Sequence, residues 1–319
     1  MTSPLPTSSE VLEPDLQDDA AEWLKRYAEL NRSFEQPLIL HLTQRGIFSE
    51  VNGVIDAMLF ALVHRRRLAI WEQGFNHLRW SDYFASALEA PEESLLASIA
   101  GQQQMTNAKS KPFRRLLAWV ETVATSAALL RVDELGIEGH LFDARRAIAL
   151  RLCQPSKDVR ELAHIEMGRL SLEPGRFAAV HIRRGDKIHP RPGHAVEGED
   201  TPIDHVQQVL TSLAPELRDL FVLTDDIRAA QELERVCREN RVVSICPPDA
   251  VGHHQPQFNA APPAEKAATA LRLAMECVIA TRSAAFAGGF KSNVARFVAT
   301  VHANPARCVS TDSKLVPWP

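Results

Sequence analysis

The sequence predicts an α/β protein of two units, each a doubly wound parallel sheet, with a cleft between them and an N-terminal half rich in helix. Three observations carry that reading. Short apolar runs such as "PLILHL" (37–42) and the start of "FAAVHIRRGDK" (177–187) read as buried strands, with amphipathic stretches at helical spacing between such runs. From residue 177 onward strands and helices take strict turns, the pattern of a parallel sheet with crossover helices. "LEPGR" (172–176) carries a Pro and a Gly and separates the two regions. The expected organisation is a mobile tail over 1–17, an N-terminal domain with a helical insert over 18–172, and a C-terminal domain over 173–319.

The elements follow in order. "DDAAEWLKRYAELNR" opens on Asp and sets Trp23, Leu24, Tyr27 and Leu30 at helical spacing, so order begins near Asp18 with an amphipathic helix. After the strand at 37–42, a turn around Gly46, a helix from Glu50 to Arg65 and the strand "RLAIW" (67–71) complete a β-loop-α-β unit. Between Ser94 and Leu170 the pattern is largely helical, "KPFRRLLAWVETVATSAALL" and "KDVRELAHIEMGRL" being the plainest stretches, and no strand is predicted there. The second half predicts strand 177–182, helix 202–213, strand 220–224, helix 227–240, strand 242–246, helix 264–280, strand 284–287 and helix 292–302. The apolar stripe of helix 264–280, with Leu271, Met275 and Val278, is ordinary core. There is no internal repeat.

Composition excludes several classes. The 319 residues are 45% apolar, ample for two cores, and the net charge of −4 gives no global field to recruit nucleic acid or an anionic membrane. The opening "MTSPLPTSSEVLEPDLQDD" lacks the basic start and apolar centre of a signal peptide, and no apolar run approaches a membrane span, so a cytoplasmic chain is expected. Its five cysteines are scattered, without a CxxC pair or zinc spacing, and read as buried thiols in a reducing compartment. No GxGxxG follows any predicted strand, which disfavours a dinucleotide-binding domain.

The candidate site lies where the predicted strands end. In open parallel sheets ligands bind beyond the carboxyl ends of the strands, and here those ends are polar. Strand 177–182 runs into His181, Arg183, Arg184, Asp186 and Lys187; strand 220–224 into Thr224, Asp225 and Asp226; strand 284–287 into "GGFKSN", with Phe290, Lys291, Ser292 and Asn293. Guanidinium groups grip diphosphates through paired hydrogen bonds, and a helix opening at "KSNVARF" offers free N–H groups and the positive end of its dipole. A nucleoside diphosphate is the natural ligand of such a set.

Bland readings were weighed against this one. A lone Arg-Arg pair is commonly solvated surface, and Asp225-Asp226 serves equally to cap the helix that follows. Adjacent aspartates do not make the spaced carboxylate pair of a metal-binding DxD. His189, His194, His253 and His254 have no carboxylate set to complete a metal site and read as loop surface, with "GHH" (252–254) the alternative lining of a cleft. No metal and no cofactor is expected.

"HIRRGDK" (181–187), "FVLTDD" (221–226) and "AMECVIATRSAAFAGGFKSNVARF" (274–297) resemble, in order and spacing, the C-terminal motifs of the α1,6-fucosyltransferase and nodulation-factor fucosyltransferase superfamily, to which protein O-fucosyltransferases and α1,2-fucosyltransferases are related. "QRGIFSEVNGVIDAMLFALVHRRRLAIWEQGFNHLRWSDYF" (44–84) is similar to the family's N-terminal glycine loop, helix and second strand. The resemblance covers roughly half the chain and leaves the helical middle unmatched. It implies a GT-B glycosyltransferase of two Rossmann-like domains, with GDP-fucose as donor substrate, a glycan as acceptor, inversion, and no metal.

Carried over by position, the resemblance implies that Arg183 binds the β-phosphate, that Arg184 and Lys187 support the donor site, that Glu276 holds ribose or guanine, and that Ser292 with Asn293 holds phosphate. His181, Asp186, Asp225, Asp226, Phe290 and Lys291 belong to the same motifs in supporting roles. The family's catalytic Glu sits four residues before a His-Pro, and counting back from Thr201-Pro202 gives Glu197, with Glu199 and Asp200 as rivals. Gly185 stands where Thr is common in the family, and Glu276 where Asp is usual. Another GDP-sugar as donor, or a GDP-sugar sensor without turnover, are the alternatives.

Overall fold

The structure, a computed structural model, describes residues 14–86, 88, 90, 93, 104–105, 111–186, 188 and 201–312. Helix α1 (Pro14–Arg32) begins four residues before the expected Asp18, with a proline at its first position, where the missing N–H costs nothing. Two polar contacts tie it to the first unit. Trp23 Nε1 donates to the Leu135 carbonyl at 2.9 Å, and the Asn31 carboxamide brackets Leu68, donating to its carbonyl and accepting from its N–H, both at 2.8 Å.

Leu68 lies on β2 (Arg66–Trp71), which pairs in parallel with β1 (Gln36–His41). On its other side β1 pairs in parallel with β3 (Gln104–Met105). Helix α2 (Ile47–Val63) is the crossover between β1 and β2, and it starts at Ile47 because the Gly46 carbonyl accepts from both Ser49 and Glu50 N–H. It is apolar nearly all round and packs on the sheet and on further helices. The middle of the chain supplies α3 (Lys111–Thr125), the antiparallel pair β4 (Leu130–Val132) and β5 (Ile137–Gly139), then α4 (Leu141–Leu152) and α5 (Lys157–Arg169).

The expectation of no strand between 94 and 170 is therefore corrected. β3 is a two-residue extension of a sheet whose other strands lie far away in sequence, and β4 and β5 are three residues each, too short for a period of two to register.

The second sheet holds β6 (Phe177–Ile182), β7 (Asp219–Thr224), β8 (Arg241–Val243), β9 (Ala285–Gly288) and β10 (Cys308–Ser310) in the order β10-β9-β6-β7-β8, all parallel. Between them run α6 (Ile203–Leu213), α7 (Ile227–Val236), α8 (Gln255–Ala260), α9 (Pro263–Thr281) and α10 (Asn293–Val301). Helix α7 stops short of the expected residue 240 because Asn240 N–H turns back to the Cys237 carbonyl and Arg241 already enters β8. α8 and β10 went unforeseen in the sequence.

Period-two alternation divides the central strands between two cores. Ala178, Val180, Ile182, Leu220 and Val222 face one core together with residues of α6 and α7. Phe177, Ala179, Phe221, Leu223 and Phe286 face the other. Ala179 pairs in register with both Phe221 and Phe286, so the small residue leaves room for the rings on either side. Burying each of these phenylalanines contributes about 2–3 kcal/mol.

This second core continues into the first unit and reaches as far as Trp23, so the two sheets share one apolar interior. Phe48 of α2 meets Phe297 of α10 with ring centroids 4.6 Å apart. Beside them Arg145 of α4 is fully buried, pairs with Asp56 and donates to Asn52 Oδ1 at 3.1 Å, while Asn52 Nδ2 donates to the Asn293 carbonyl at 3.0 Å. The α/β class and the two-sheet, GT-B-like organisation expected from the sequence are thus present. Among the described residues no helix is long and apolar enough to cross a membrane.

Candidate functional site

From β6 the chain runs outward through β7 and β8, then returns to place β9 on the opposite side of β6. The strand order reverses between β6 and β9, and the crevice beyond their carboxyl ends is where an open parallel sheet receives a ligand. Ile182 lies in register with Thr224, and His181 with Gly288, so the loops leaving β6, β7 and β9 start side by side.

Arg183 leaves β6 at that point. Its Nη2 pairs with Asp186 Oδ1 at 3.2 Å, whereas its buried Nε has no hydrogen-bond partner among the described residues. Arg184 turns the other way, its Nη2 donating to Glu232 Oε2 of α7 at 2.6 Å. Asp225 acts as a staple: its carboxylate accepts from Arg184 N–H at 2.8 Å and from the N–H groups of Gly185 and His253, both at 3.1 Å. Asp226 caps α7, accepting from Arg228 N–H at 3.0 Å, and pairs with the Arg228 guanidinium.

The staple draws residues 252–255 against the Arg183 loop. Asp186 N–H donates to the His253 carbonyl at 2.9 Å, and Asp186 Oδ2 accepts from Gln255 N–H at 2.8 Å. A Cβ on Gly185 would stand 2.1 Å from the His253 carbonyl oxygen, so this approach requires glycine there, and Gly252 opposite it adopts φ +100°. Glycine at 185 has this local cause. It also corrects the reading of His253 as loop surface: the residue is half-buried, with its ring 5.4 Å from that of Phe258. Gln255 reaches across to the first unit, where its Nε2 donates to the Gln44 carbonyl at 3.1 Å.

The loop after β9 is pinned by Asp312, whose Oδ2 accepts from Lys291 N–H at 2.7 Å. Phe290 is buried in the shared core and anchors the loop from beneath. Ser292 precedes α10 without capping it, and its buried Oγ has no partner among the described residues. Asn293 has its carbonyl held by Asn52 and its Oδ1 by Arg296 Nη2 at 2.5 Å. Helix α9 contributes Glu276, 2% exposed, with Oε1 lacking a partner among the described residues. Arg272, one turn before Glu276, also has a buried Nε without a hydrogen-bond partner among the described residues. Sequence reasoning missed Arg272; its signal was an arginine four residues before the singled-out glutamate on one helix face.

Electrostatics sharpen the picture. Burial pushes Glu276 up to about 8, against the opposing pull of Arg272, so it is mainly protonated at neutral pH. Burial, and secondarily Arg183, lowers His253. His181, buried within β6, is likewise lowered by its surroundings and stays neutral. Burial alone would raise Asp186, but the Gln255 N–H and Arg183 outweigh it and hold the carboxylate ionised. The ends of β6 and β9, side by side in register, carry an arginine and, ahead of a helix N-terminus, a serine hydroxyl, and Glu276 lies close enough to Asp225 to feel its charge; arginine, hydroxyl and helix N-terminus together suit a phosphorylated ligand.

Lys187, Glu197, Glu199 and Asp200, with His189 and His194, lie outside the described residues. Among the described residues no group of three or more His, Cys, Asp or Glu side chains is arranged to hold a metal ion.

No family model matches the sequence, and no curated protein matches it. Among solved structures the chain is similar to a mutant of Arabidopsis thaliana FUT1 in complex with GDP, at 10% identity and a TM-score of 0.49, over 90% of this chain and 74% of that one. It is also similar to POFUT1 in complex with GDP, at 12% identity and a TM-score of 0.46, over 86% of this chain and 97% of that one. POFUT1 in complex with GDP-fucose gives 11% identity and a TM-score of 0.44 over the same shares. Likenesses at this distance transfer no residue role and no ligand to this chain.

Proposed function

We propose that the chain is a GT-B glycosyltransferase that transfers L-fucose from GDP-fucose, with inversion and without a metal ion, to a hydroxyl of a glycan or of a protein- or lipid-linked glycan. The observation that supports this reading is the set of buried polar atoms without hydrogen-bond partners among the described residues, Arg183 Nε, Ser292 Oγ and Glu276 Oε1, each carried by a motif that resembles the fucosyltransferase superfamily.

The chemistry follows from these groups. As the bond between the anomeric carbon and the β-phosphate oxygen breaks, negative charge grows on the departing diphosphate and positive charge on the sugar ring. Arg183 faces the growing negative charge with a guanidinium already fixed by Asp186, so little reorganisation accompanies the reaction. The first N–H groups of α10 and the Ser292 hydroxyl supply further donors. With His181 and His253 neutral, Arg183 dominates the local field. Glu276, once deprotonated, would accept from the guanine or ribose donors. The acceptor hydroxyl attacks from the face opposite GDP and gives its proton to Glu197, and a single displacement of this kind inverts the anomeric centre.

Because the base acts on the acceptor and not on the nucleotide, Glu197→Gln should lower turnover roughly a hundredfold to ten-thousandfold while GDP affinity is unchanged, and Glu199→Gln should be mild. Transfer from radiolabelled GDP-fucose to a glycan array, with calorimetry of GDP alongside, tests this. The reverse ranking of the two variants would move the base to Glu199.

A further inference from the structure

A second concavity lies at the carboxyl end of the first sheet, away from the crevice of the second. It is an open groove of about 380 Å³, within the roughly 300–1,000 Å³ usual for small-ligand sites, and is lined by His41, Thr43, Gln44, Trp71, Gln73 and Gly74 among others. His41 and Trp71 are register partners at the ends of β1 and β2, with ring centroids 4.5 Å apart and the planes tilted by 57°. Both are half-buried, so the indole is held by its neighbour yet remains open to the groove.

The groove is built closely. A Cβ on Gly74 would stand 2.3 Å from the Leu42 carbonyl oxygen, so the turn after β2 can approach the end of β1 only with glycine there.

The chemistry of the lining selects the ligand. Among the described residues the lining is uncharged at neutral pH, since His41, its one titratable group, is lowered by burial. Two carboxamides, Gln44 and Gln73, can each donate and accept, which suits hydroxyl groups, and an indole face suits the apolar face formed by the axial C–H bonds of a pyranose. A chain of hydrogen bonds links the groove wall to the Arg183 loop. The Gln44 carbonyl accepts from Gln255 Nε2, Gln255 N–H donates to Asp186, and Asp186 pairs with Arg183.

We propose that this groove seats a pyranose ring of the acceptor, stacked on Trp71 and hydrogen-bonded by Gln44 and Gln73, so that the acceptor is recognised as a saccharide. This rests on the transferase reading above.

Saturation-transfer NMR on the full chain with methyl β-D-glucopyranoside, methyl β-D-galactopyranoside and diacetylchitobiose tests it, with GDP titrated in parallel by calorimetry. At least one probe should bind the wild type and Trp71→Phe, and weaken roughly tenfold in Trp71→Ala, as expected for loss of an aromatic stacking contact. Gln73→Trp, which fills the groove from an exposed position without removing core contacts, should weaken the same probe equally. Failure of every probe to bind wild type that still binds GDP, or undiminished binding in both Trp71→Ala and Gln73→Trp, would overturn the assignment. Failure of GDP to bind while a pyranoside does would count against the donor reading and leave the groove standing.

Discussion

At the scale of single residues, the account turns on Arg183 and Glu276. Arg183→Lys keeps the charge but loses the planar fork that can hold Asp186 and a phosphate oxygen together. Transfer should fall on the order of a hundredfold, comparable to removal of one donor from a charge-stabilising site. Steady-state kinetics with GDP-fucose would show it, and an undiminished rate would mean that this arginine does not touch the leaving group. Glu276 predicts a pH dependence. Its folded pKa is raised to about 8, so its stabilising contribution is complete below the ordinary carboxylate range and is lost as pH rises through 8. Glu276→Gln, neutral at every pH, should flatten the decline in Tm between about pH 5 and pH 8, and a wild-type slope in the variant would contradict the raised pKa. Arg183 and Ser292 were legible in the sequence because charge and polarity at the end of an apolar strand have no local explanation, whereas Glu276 was reached only through the family resemblance. Gln255 and His253 were not legible there, because what brings them to Asp186 and Asp225 is tertiary contact with no periodic signal.

At the scale of elements, the second sheet was read strand by strand because its central strands are continuous apolar runs, buried on both faces. The short pieces escaped: β3, the β4–β5 pair and β10 draw their stability from partners rather than from their own pattern. The same holds for the segment around α8, which is fixed by the Asp225 staple and by the close backbone approach at Gly185. That approach is testable by placing a side chain at Gly185. Gly185→Thr places a Cβ inside van der Waals contact with the His253 backbone and must push the segment away from Asp225. Stability should drop by about 2 kcal/mol, the size of a typical overpacking penalty, and GDP affinity should fall with it. Urea denaturation of the variant at wild-type Cm would show that the segment yields without cost.

At the scale of the whole molecule, the sequence spoke to the two-sheet organisation through its alternating pattern, but not to the way the units are joined. The joint is a continuous apolar core with a buried polar set inside it, in which Arg145 and Asn52 of the first unit hold the opening of α10 in the second. Arginine and asparagine at helical spacing read as surface in a sequence, and only the apposition of α2, α4 and α10 buries them. The opening of α10 in one unit is thereby supported by the other, and Gln255 ties the Arg183 loop to Gln44 of the first unit. The central claim is that the crevice beyond the ends of β6 and β9 binds a guanosine diphosphate through fixed side chains and a helix N-terminus. Its most direct test is calorimetric titration of GDP into the full chain in the presence of EDTA, repeated with added manganese. The account predicts binding of equal affinity in both; no binding in either, or binding that vanishes with chelator and returns with manganese, would contradict it.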